Sequence, residues 1–196
     1  MFTGIIETTG NVGAFNNRGD DRRLMVEAPA SFLRGVRKGD SIACNGVCLT
    51  VAAKSARRFE TDVSLETLHA TTAAQWRKGD ALNLEKALTL NQPLGGHLVS
   101  GHVDGVGRLE SSRPDGRSQR MVFSLPRPLA RYVAKKGSVC IDGISLTVNE
   151  IKGLRFGLNI VPHTLRCTTL GQLRPGDRVN IEVDLIARYL ERLYRK

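Results

Sequence analysis

Short apolar runs separated by turn residues dominate this chain. Runs of strand length occupy residues 24–26, 41–44, 47–52, 59–63 and 81–85, and similar runs recur at 121–123, 139–141, 144–149, 156–161 and 178–183. Gly, Asp and Pro mark the turns between them. Short helices are expected near 30–34, 71–75, 129–134 and 168–172. Many short strands with regularly spaced turns favour an all-β fold, with a small barrel or a sandwich in each half.

The second half of the sequence repeats the first at a constant offset of 97 residues. Gly4, Ser41, Gly46, Thr50, Asn83 and Glu85 fall on Gly101, Ser138, Gly143, Thr147, Asn180 and Glu182. This period is too long for a solenoid unit and is typical of two small domains. We therefore predict domains at 1–97 and 98–184, followed by a C-terminal segment at 185–196.

The C-terminal segment has a different pattern, with apolar residues at helical spacing. Leu185, Ile186, Tyr189, Leu190 and Leu193 alternate with charged residues, which predicts an amphipathic helix. An isolated helix of this length is marginally stable in water. Its apolar face therefore packs either on its own domain or on the same helix of other subunits.

Composition and charge narrow the class of protein. The apolar fraction of 41% can build cores, and no apolar run is long enough to span a membrane. The N-terminus lacks the basic and apolar regions of a signal peptide, and the four cysteines do not form a disulfide framework, so we predict a cytoplasmic protein. The net charge is +10, but the basic residues are scattered and aromatics make up only 5%, which argues against nucleic-acid binding.

The two copies differ at positions that could carry chemistry. Cys48 aligns with Ser145, so a thiol in one copy corresponds to a hydroxyl in the other. His102 aligns with Ile5, so an imidazole corresponds to an apolar side chain. Two pockets of similar shape but different chemistry would result.

Purely structural interpretations of these residues remain open. A cysteine in a strand is commonly a small buried apolar residue, a histidine near a Gly-rich junction is commonly on the surface, and Ser41 could be a turn or cap residue. A zinc site at Cys44 and Cys48 is disfavoured, because an extended strand separates them by about 13 Å. A nucleophile pair of Cys48 and His102 would require direct contact between the two side chains.

Four sequence motifs closely resemble those of riboflavin synthase, alpha chain, the lumazine-binding barrel family. They are the N-terminal MFTGII, NGVCLTV at 45–51, GGHLVSGHV at 95–103 and DGISLTV at 142–148. The resemblance covers nearly the whole chain. It implies two tandem six-stranded Greek-key barrels and a C-terminal helix that gathers three subunits, with each active site between the first barrel of one subunit and the second barrel of its neighbour.

The resemblance also implies a transferase activity, the last step of riboflavin biosynthesis. A four-carbon unit would pass from one molecule of 6,7-dimethyl-8-ribityllumazine to a second one. The products would be riboflavin and 5-amino-6-(ribitylamino)uracil, and the reaction would need no cofactor and no metal. Phe2, Ser41, Cys48 and His102 stand at positions linked to catalysis in the family. Their presence favours an enzyme over the non-catalytic lumazine proteins. Association with lumazine synthase is a further expectation.

The resemblance assigns the remaining site residues to two pockets. The first would be lined by Gly4, Ile5, Ile6, Cys48, Leu49, Thr50, Asp62, Val63, Ser64, Leu65, Glu66 and Thr67. The second would be lined by Gly101, His102, Val103, Lys136, Ser145, Leu146, Thr147, Val161, Pro162, His163, Thr164, Leu165 and Arg166. His102 is the candidate general acid or base, because an imidazole exchanges protons near neutral pH. Cys48 and Ser41 are the candidates for nucleophilic addition or for activating water.

Overall fold

Each half of the chain closes into a six-stranded antiparallel barrel. The structure, a computed structural model, describes residues 1–194. The first barrel contains β1 (Thr8–Arg18), β2 (Asp21–Glu27), β3 (Ser41–Cys44), β4 (Val47–Lys54), β5 (Arg58–Val63) and β6 (Ala81–Lys86). The second contains β7 (Gly105–Asp115), β8 (Ser118–Ser124), β9 (Ser138–Ile141), β10 (Ile144–Lys152), β11 (Arg155–Ile160) and β12 (Arg178–Val183). The expectation of a barrel or a sandwich is thus resolved in favour of barrels.

The two barrels share one topology. The first is ordered β1-β2-β5-β4-β3-β6, and the second has the equivalent order β7-β8-β11-β10-β9-β12 around its closed sheet. β-Bulges interrupt the pairing between Val12 and Ala14 and, at the equivalent place, between Leu109 and Ser111. Bulges bend and twist a strand, which helps a small sheet to close. The repeat in the sequence therefore extends to the irregularities of the backbone.

Short helices fill the connections between strands. They are α1 (Ala30–Leu33), α2 (Leu65–Ala70) and α3 (Pro162–Cys167), with 3₁₀ turns at Thr72–Gln75, Arg127–Tyr132 and Thr169–Gln172. The helical stretches expected near 30–34, 71–75, 129–134 and 168–172 are present, although three of them are 3₁₀ turns. The helices α2 and α3, each just after a strand, were not expected.

The strands β1 and β7 were also not expected, although they are the longest in the protein. Their glycines and polar residues give them weak strand propensity. Gly10 lies so close to β2 that a β-carbon there would be 2.6 Å from the carbonyl oxygen of Glu27. At the equivalent Gly107, a β-carbon would be 2.4 Å from the carbonyl oxygen of Ser124. Close packing of neighbouring backbones, and not a turn, requires glycine at both positions.

A buried polar network joins the two barrels across an approximate twofold axis. The side-chain amide of Asn83 donates to the Asp142 carbonyl at 2.9 Å, and that of Asn180 donates to the Asn45 carbonyl at 2.8 Å. Gly46 and Gly143 meet on this axis, where a β-carbon on either would lie within 2.8 Å of the other's backbone nitrogen. The barrels therefore form one packed unit. The boundaries at 97 and 184 stay a prediction, because the segments before β1 and β7 cross between barrels.

The C-terminal helix α4 (Leu185–Tyr194) docks on the second barrel through charged side chains. Glu191 binds Arg131 and the Tyr132 hydroxyl, and Arg188 binds Asp104. The apolar face is turned outward, with Ile186, Tyr189, Leu190 and Leu193 all exposed. The end of the predicted segment, residues 195 and 196, lies outside the described residues. Within residues 1–194 no helix is both long enough and apolar enough to cross a membrane.

Candidate active site

Each segment that leads into a barrel lies against the other barrel. The main-chain N–H of Phe2 donates to Val99 at 2.7 Å, and the N–H of Val99 donates back to Phe2 at 3.1 Å. The N–H of Cys48 in β4 donates to the Gly101 carbonyl at 2.9 Å, and the N–H of Ser145 in β10 donates to the Gly4 carbonyl at 2.8 Å. The crossing is therefore reciprocal: Gly101, before β7, contacts the first barrel, and Gly4, before β1, contacts the second.

This crossing corrects the expected composition of the pockets within one chain. Gly4 and Ile6, which were assigned to the first pocket together with Ile5, pack against Ser145 and the core of the second barrel. Val103, which was assigned to the second pocket together with Gly101 and His102, packs on the core of the first barrel. The repeat offset pairs equivalent residues but carries no information about which barrel a connecting segment contacts.

Two buried glutamates hold the crossed segments in place. The carboxylate of Glu85 accepts hydrogen bonds from the N–H and hydroxyl of Thr3 at 2.6 and 2.7 Å and from the N–H of Gly4 at 3.0 Å. Glu182 binds Ser100 and Gly101 in the same way at 2.6, 2.7 and 3.0 Å. Burial raises the pKa of both carboxyl groups above the usual value, and the hydrogen bonds partly offset that shift. Each glutamate therefore fixes the edge of the opposite pocket.

The expected first pocket falls on the outer face of β4 and β5. In β4, Val47, Leu49 and Val51 point into the barrel core, which leaves Cys48 and Thr50 on the outside. Gly101 has a φ of 79°, and a β-carbon there would be 2.6 Å from Cβ of Cys48. Only glycine permits both this backbone conformation and this contact. The predicted residue Leu49 thus belongs to the core rather than to the surface of the pocket.

Three of the four candidate catalytic residues lie on or beside this outer face, and Phe2 is buried beneath it. His102 is exposed and directly follows the Gly101 turn beside Cys48. Ser41 in β3 pairs with Thr50 in β4, two positions along the strand from Cys48. Phe2 is fully buried, and its ring packs against Gly101. Phe2 therefore supports the turn before His102 instead of presenting its ring at the surface.

The rest of the first pocket follows β5 and α2. Asp62 is exposed on β5 and binds Arg23 through paired hydrogen bonds of 2.7 and 3.0 Å. Ser64 caps α2 by accepting the N–H of Thr67 at 3.2 Å. Within the predicted stretch, Leu65 and Glu66 are exposed and Val63 is buried in the barrel.

The second pocket is a cleft of about 360 Å³ on the outer face of β10 and β11. It is lined by Ser145, Leu146, Thr147, Asn149, Asn159, Ile160, Val161 and Thr164. Asn149, Asn159 and Ile160 were not predicted. Asn159 is the repeat equivalent of Asp62, so the offset could have identified it. An amide at this position gives the second pocket a donor and an acceptor, where the first has only a carboxylate.

The remaining predicted residues of the second pocket border the cleft without lining it. Pro162, His163, Leu165 and Arg166 belong to α3, and the Leu165 side chain packs against the core of the second barrel. Lys136 is exposed in the turn before β9, where its N–H donates to the Val148 carbonyl at 2.7 Å.

Two of the four cysteine thiols are accessible, Cys48 in β4 and Cys167 in α3. Burial raises the pKa values of Cys44 and Cys140, which are enclosed in the core and between the barrels, so both stay protonated. Cys48 is only half-buried, on the outer face of β4, whereas Cys167 is exposed on α3. Among residues 1–194, no three His, Cys, Asp or Glu side chains are grouped to hold a metal ion.

Comparisons with known proteins agree with this architecture. The family model described as lumazine binding domain matches twice, at residues 3–87 and 100–184. Riboflavin synthase of Photobacterium phosphoreum is 46% identical over 193 residues, which cover 98% of this chain and 88% of that protein. Riboflavin synthase of Bacillus subtilis (strain 168) is 38% identical over 198 residues, covering 100% and 91%. The chain belongs to the riboflavin synthase family.

Solved structures show the same fold. A structure of LumP complexed with riboflavin has a TM-score of 0.86 and 26% sequence identity, and the match covers 93% of this chain and 99% of LumP. This likeness and the two closed barrels agree on the tandem-barrel architecture. The members at 38% and 46% identity are named as riboflavin synthases, whereas the LumP structure carries a bound flavin.

Proposed function

We propose that this protein is a riboflavin synthase. Two molecules of 6,7-dimethyl-8-ribityllumazine react, one gives up a four-carbon unit, and the products are riboflavin and 5-amino-6-(ribitylamino)uracil. The observation that carries this proposal is a pair of equivalent positions on the outer faces of the two barrels that differ in chemistry, Cys48 in one and Ser145 in the other. A dismutation needs this combination, because two identical molecules must be treated differently.

Proximity accounts for a large part of the expected catalysis. The reaction joins two molecules of one substrate, so holding both rings in reach of each other removes much of the entropic barrier to their encounter. Such an effect can contribute roughly 7–11 kcal/mol when the reacting atoms are well aligned. The cleft of the second barrel lies on an outer barrel face, so a facing surface from another subunit would enclose the two rings and exclude water.

The side chains around the first pocket supply the proposed chemistry. His102 exchanges the proton of the acidic 7-methyl group, and Cys48 or Ser41 adds to the acceptor ring or activates a water molecule there. Phe2 contributes by supporting the Gly101 turn. The proposed reaction uses no metal and no redox cofactor.

A homotrimer is the proposed assembly. The exposed apolar face of α4, formed by Ile186, Tyr189, Leu190 and Leu193, needs a partner, because its charged face is already used on the second barrel. Packing three such faces together would bring the first barrel of one subunit against the second barrel of the next. Cytoplasmic location and association with lumazine synthase are further parts of the proposal.

A direct assay tests the proposed function. The purified protein is incubated with 6,7-dimethyl-8-ribityllumazine, and riboflavin is followed by its green fluorescence while the remaining lumazine is measured by chromatography. We expect two lumazines to be consumed for each riboflavin formed. Tight lumazine binding without riboflavin formation would support the alternative of a non-catalytic carrier. The similarity to LumP, which was solved with bound riboflavin, is the reason to test this alternative.

A further inference from the structure

We propose that His97 is a positioning residue of the second pocket and that it acts by orienting the hydroxyl group of Ser145 toward the substrate bound there. Its ring nitrogen Nδ1 lies 2.7 Å from Ser145 Oγ. The histidine is 8% exposed, and its main-chain N–H donates to the Thr3 carbonyl at 3.1 Å. Ser145 itself lines the cleft of the second barrel. His97 does not line the cleft itself, so it would act there through Ser145.

The second ring nitrogen of His97 indicates that the imidazole has a role beyond packing. Nε2 is buried and is the only buried side-chain nitrogen or oxygen within residues 1–194 that lacks a hydrogen-bond partner. Leaving such an atom unpaired destabilises a folded protein, and an apolar side chain of similar size would avoid that cost. Positions that break a local rule of stability are commonly functional.

The protonation of His97 favours a defined hydrogen bond to Ser145. Burial lowers the pKa of the imidazole, and the nearby Asp184 carboxylate acts in the opposite direction. The neutral ring has one donor and one acceptor nitrogen. When the proton is on Nε2, Nδ1 accepts the Ser145 hydroxyl proton, and the lone pairs of Oγ are turned toward the cleft.

Comparison of the two pockets supports the assignment. Ser145 and Cys48 are equivalent in the repeat, yet His97 and His102 are not, since His102 corresponds to Ile5. His102 directly follows the Gly101 turn, which packs against Cys48, and His97 contacts Ser145. Both histidines belong to the one segment between β6 and β7, which therefore reaches the equivalent positions of both barrels.

The test uses two substitutions that differ in which ring nitrogen they replace. In His97→Asn, the shorter side chain can place an amide atom where Nδ1 lies, within reach of Ser145. In His97→Gln, the longer side chain places its amide at the position of the unpaired Nε2 instead. Because the inference rests on the proposed function, the readout is riboflavin formation by the whole chain. We expect His97→Gln to lower kcat by at least about tenfold with KM changed less than about threefold, and His97→Asn to keep most of the activity.

A double-mutant cycle with Ser145→Ala separates positioning from general stability. If His97 acts through Ser145, adding His97→Gln to Ser145→Ala lowers kcat by less than about twofold further. Equal losses in both backgrounds, or wild-type kcat in His97→Gln, would overturn the inference and leave the proposed function intact. A wild-type protein that forms no riboflavin would overturn both.

An NMR measurement that needs no His97 variant tests the same inference if those variants do not fold. In the wild-type protein labelled with ¹⁵N-histidine, we expect His97 as a single neutral tautomer with its proton on Nε2. In Ser145→Ala this preference should be lost. The same tautomer and the same shifts in both proteins would show that the serine and the imidazole are not coupled, and would contradict the inference.

Discussion

Replacing Asp142 by asparagine should stabilise the protein in a pH-dependent way. Asp142 is enclosed between the barrels, and burial raises its pKa from 3.8 to about 7, although one carboxylate oxygen accepts the N–H of Asn180 at 2.8 Å. The other repeat has Asn45 at this position, and its amide oxygen accepts the N–H of Asn83 at 2.7 Å. An amide therefore fits this site and keeps the hydrogen bond without a charge.

The size of the expected stabilisation follows from the difference between the pKa of Asp142 in the folded state and its pKa in the unfolded state. Below pH 3.8 the carboxyl group is protonated in both states and costs nothing. As the pH rises from 3.8 toward 7, the Asp142 carboxyl group ionises in the unfolded chain but not in the folded one, so the free energy of unfolding decreases. Above pH 7 the group is ionised in both states, and the loss of stability no longer changes with pH. A raised pKa of about 7 corresponds to a penalty of about 1 kcal/mol at pH 4.5 and about 4 kcal/mol at pH 8.

Urea unfolding at fixed protein concentration measures this effect. Asp142→Asn should raise the free energy of unfolding by about 4 kcal/mol at pH 8 and by about 1 kcal/mol at pH 4.5. The exposed Asp20 provides a matched control, since Asp20→Asn should change stability by less than about 0.5 kcal/mol at either pH. The reverse change Asn45→Asp should destabilise the protein at pH 8. A stabilisation by Asp142→Asn that does not vary with pH, or a loss of stability at pH 8, would refute the reasoning.

Four other outcomes are expected. Separate changes Cys48→Ala and His102→Ala should each lower turnover by at least about tenfold while a fluorescence titration still detects lumazine binding. Gly101→Ala should nearly abolish turnover in a steady-state assay, because its φ is 79° and its β-carbon would lie 2.6 Å from Cys48; wild-type kinetics would contradict the described turn. Glu182→Gln should weaken ligand binding at the first pocket more than at the second in NMR titrations, since this carboxylate holds the Gly101 segment. If the proposed homotrimer forms through α4, Leu190→Lys should give monomers in light scattering, and an unchanged oligomer would contradict a role of α4 in assembly.

The repeat in the sequence predicted most of the fold. Strand-length runs such as 41–44 and 59–63 coincide with β3 and most of β5, because alternating apolar residues there face a core. The strands β1 and β7 were missed, since the residues that permit tight packing, Gly10 and Gly107, also look like turn residues. Sequence pattern reports local propensity, whereas these glycines are explained by contacts with a neighbouring strand.

The site was less predictable than the fold. Divergence within the repeat drew attention to Cys48 and Ser145, and the structure places these equivalent positions on the outer faces of the two barrels. The sequence could not reveal that the segments before β1 and β7 cross between the barrels. The repeat has the same offset of 97 residues whether such a segment packs on its own barrel or on the other one. His97 was not singled out either, since its importance depends on the 2.7 Å contact with Ser145.

A crystal structure with an unreactive lumazine analogue tests the central claim most directly. We predict two analogue molecules per chain, one against Cys48 and the Gly101 turn and one in the cleft at Ser145 beside Gly4. The two rings should face each other across a subunit boundary. A single occupied pocket per chain, or two pockets too far apart for their rings to meet in any assembly, would contradict the account.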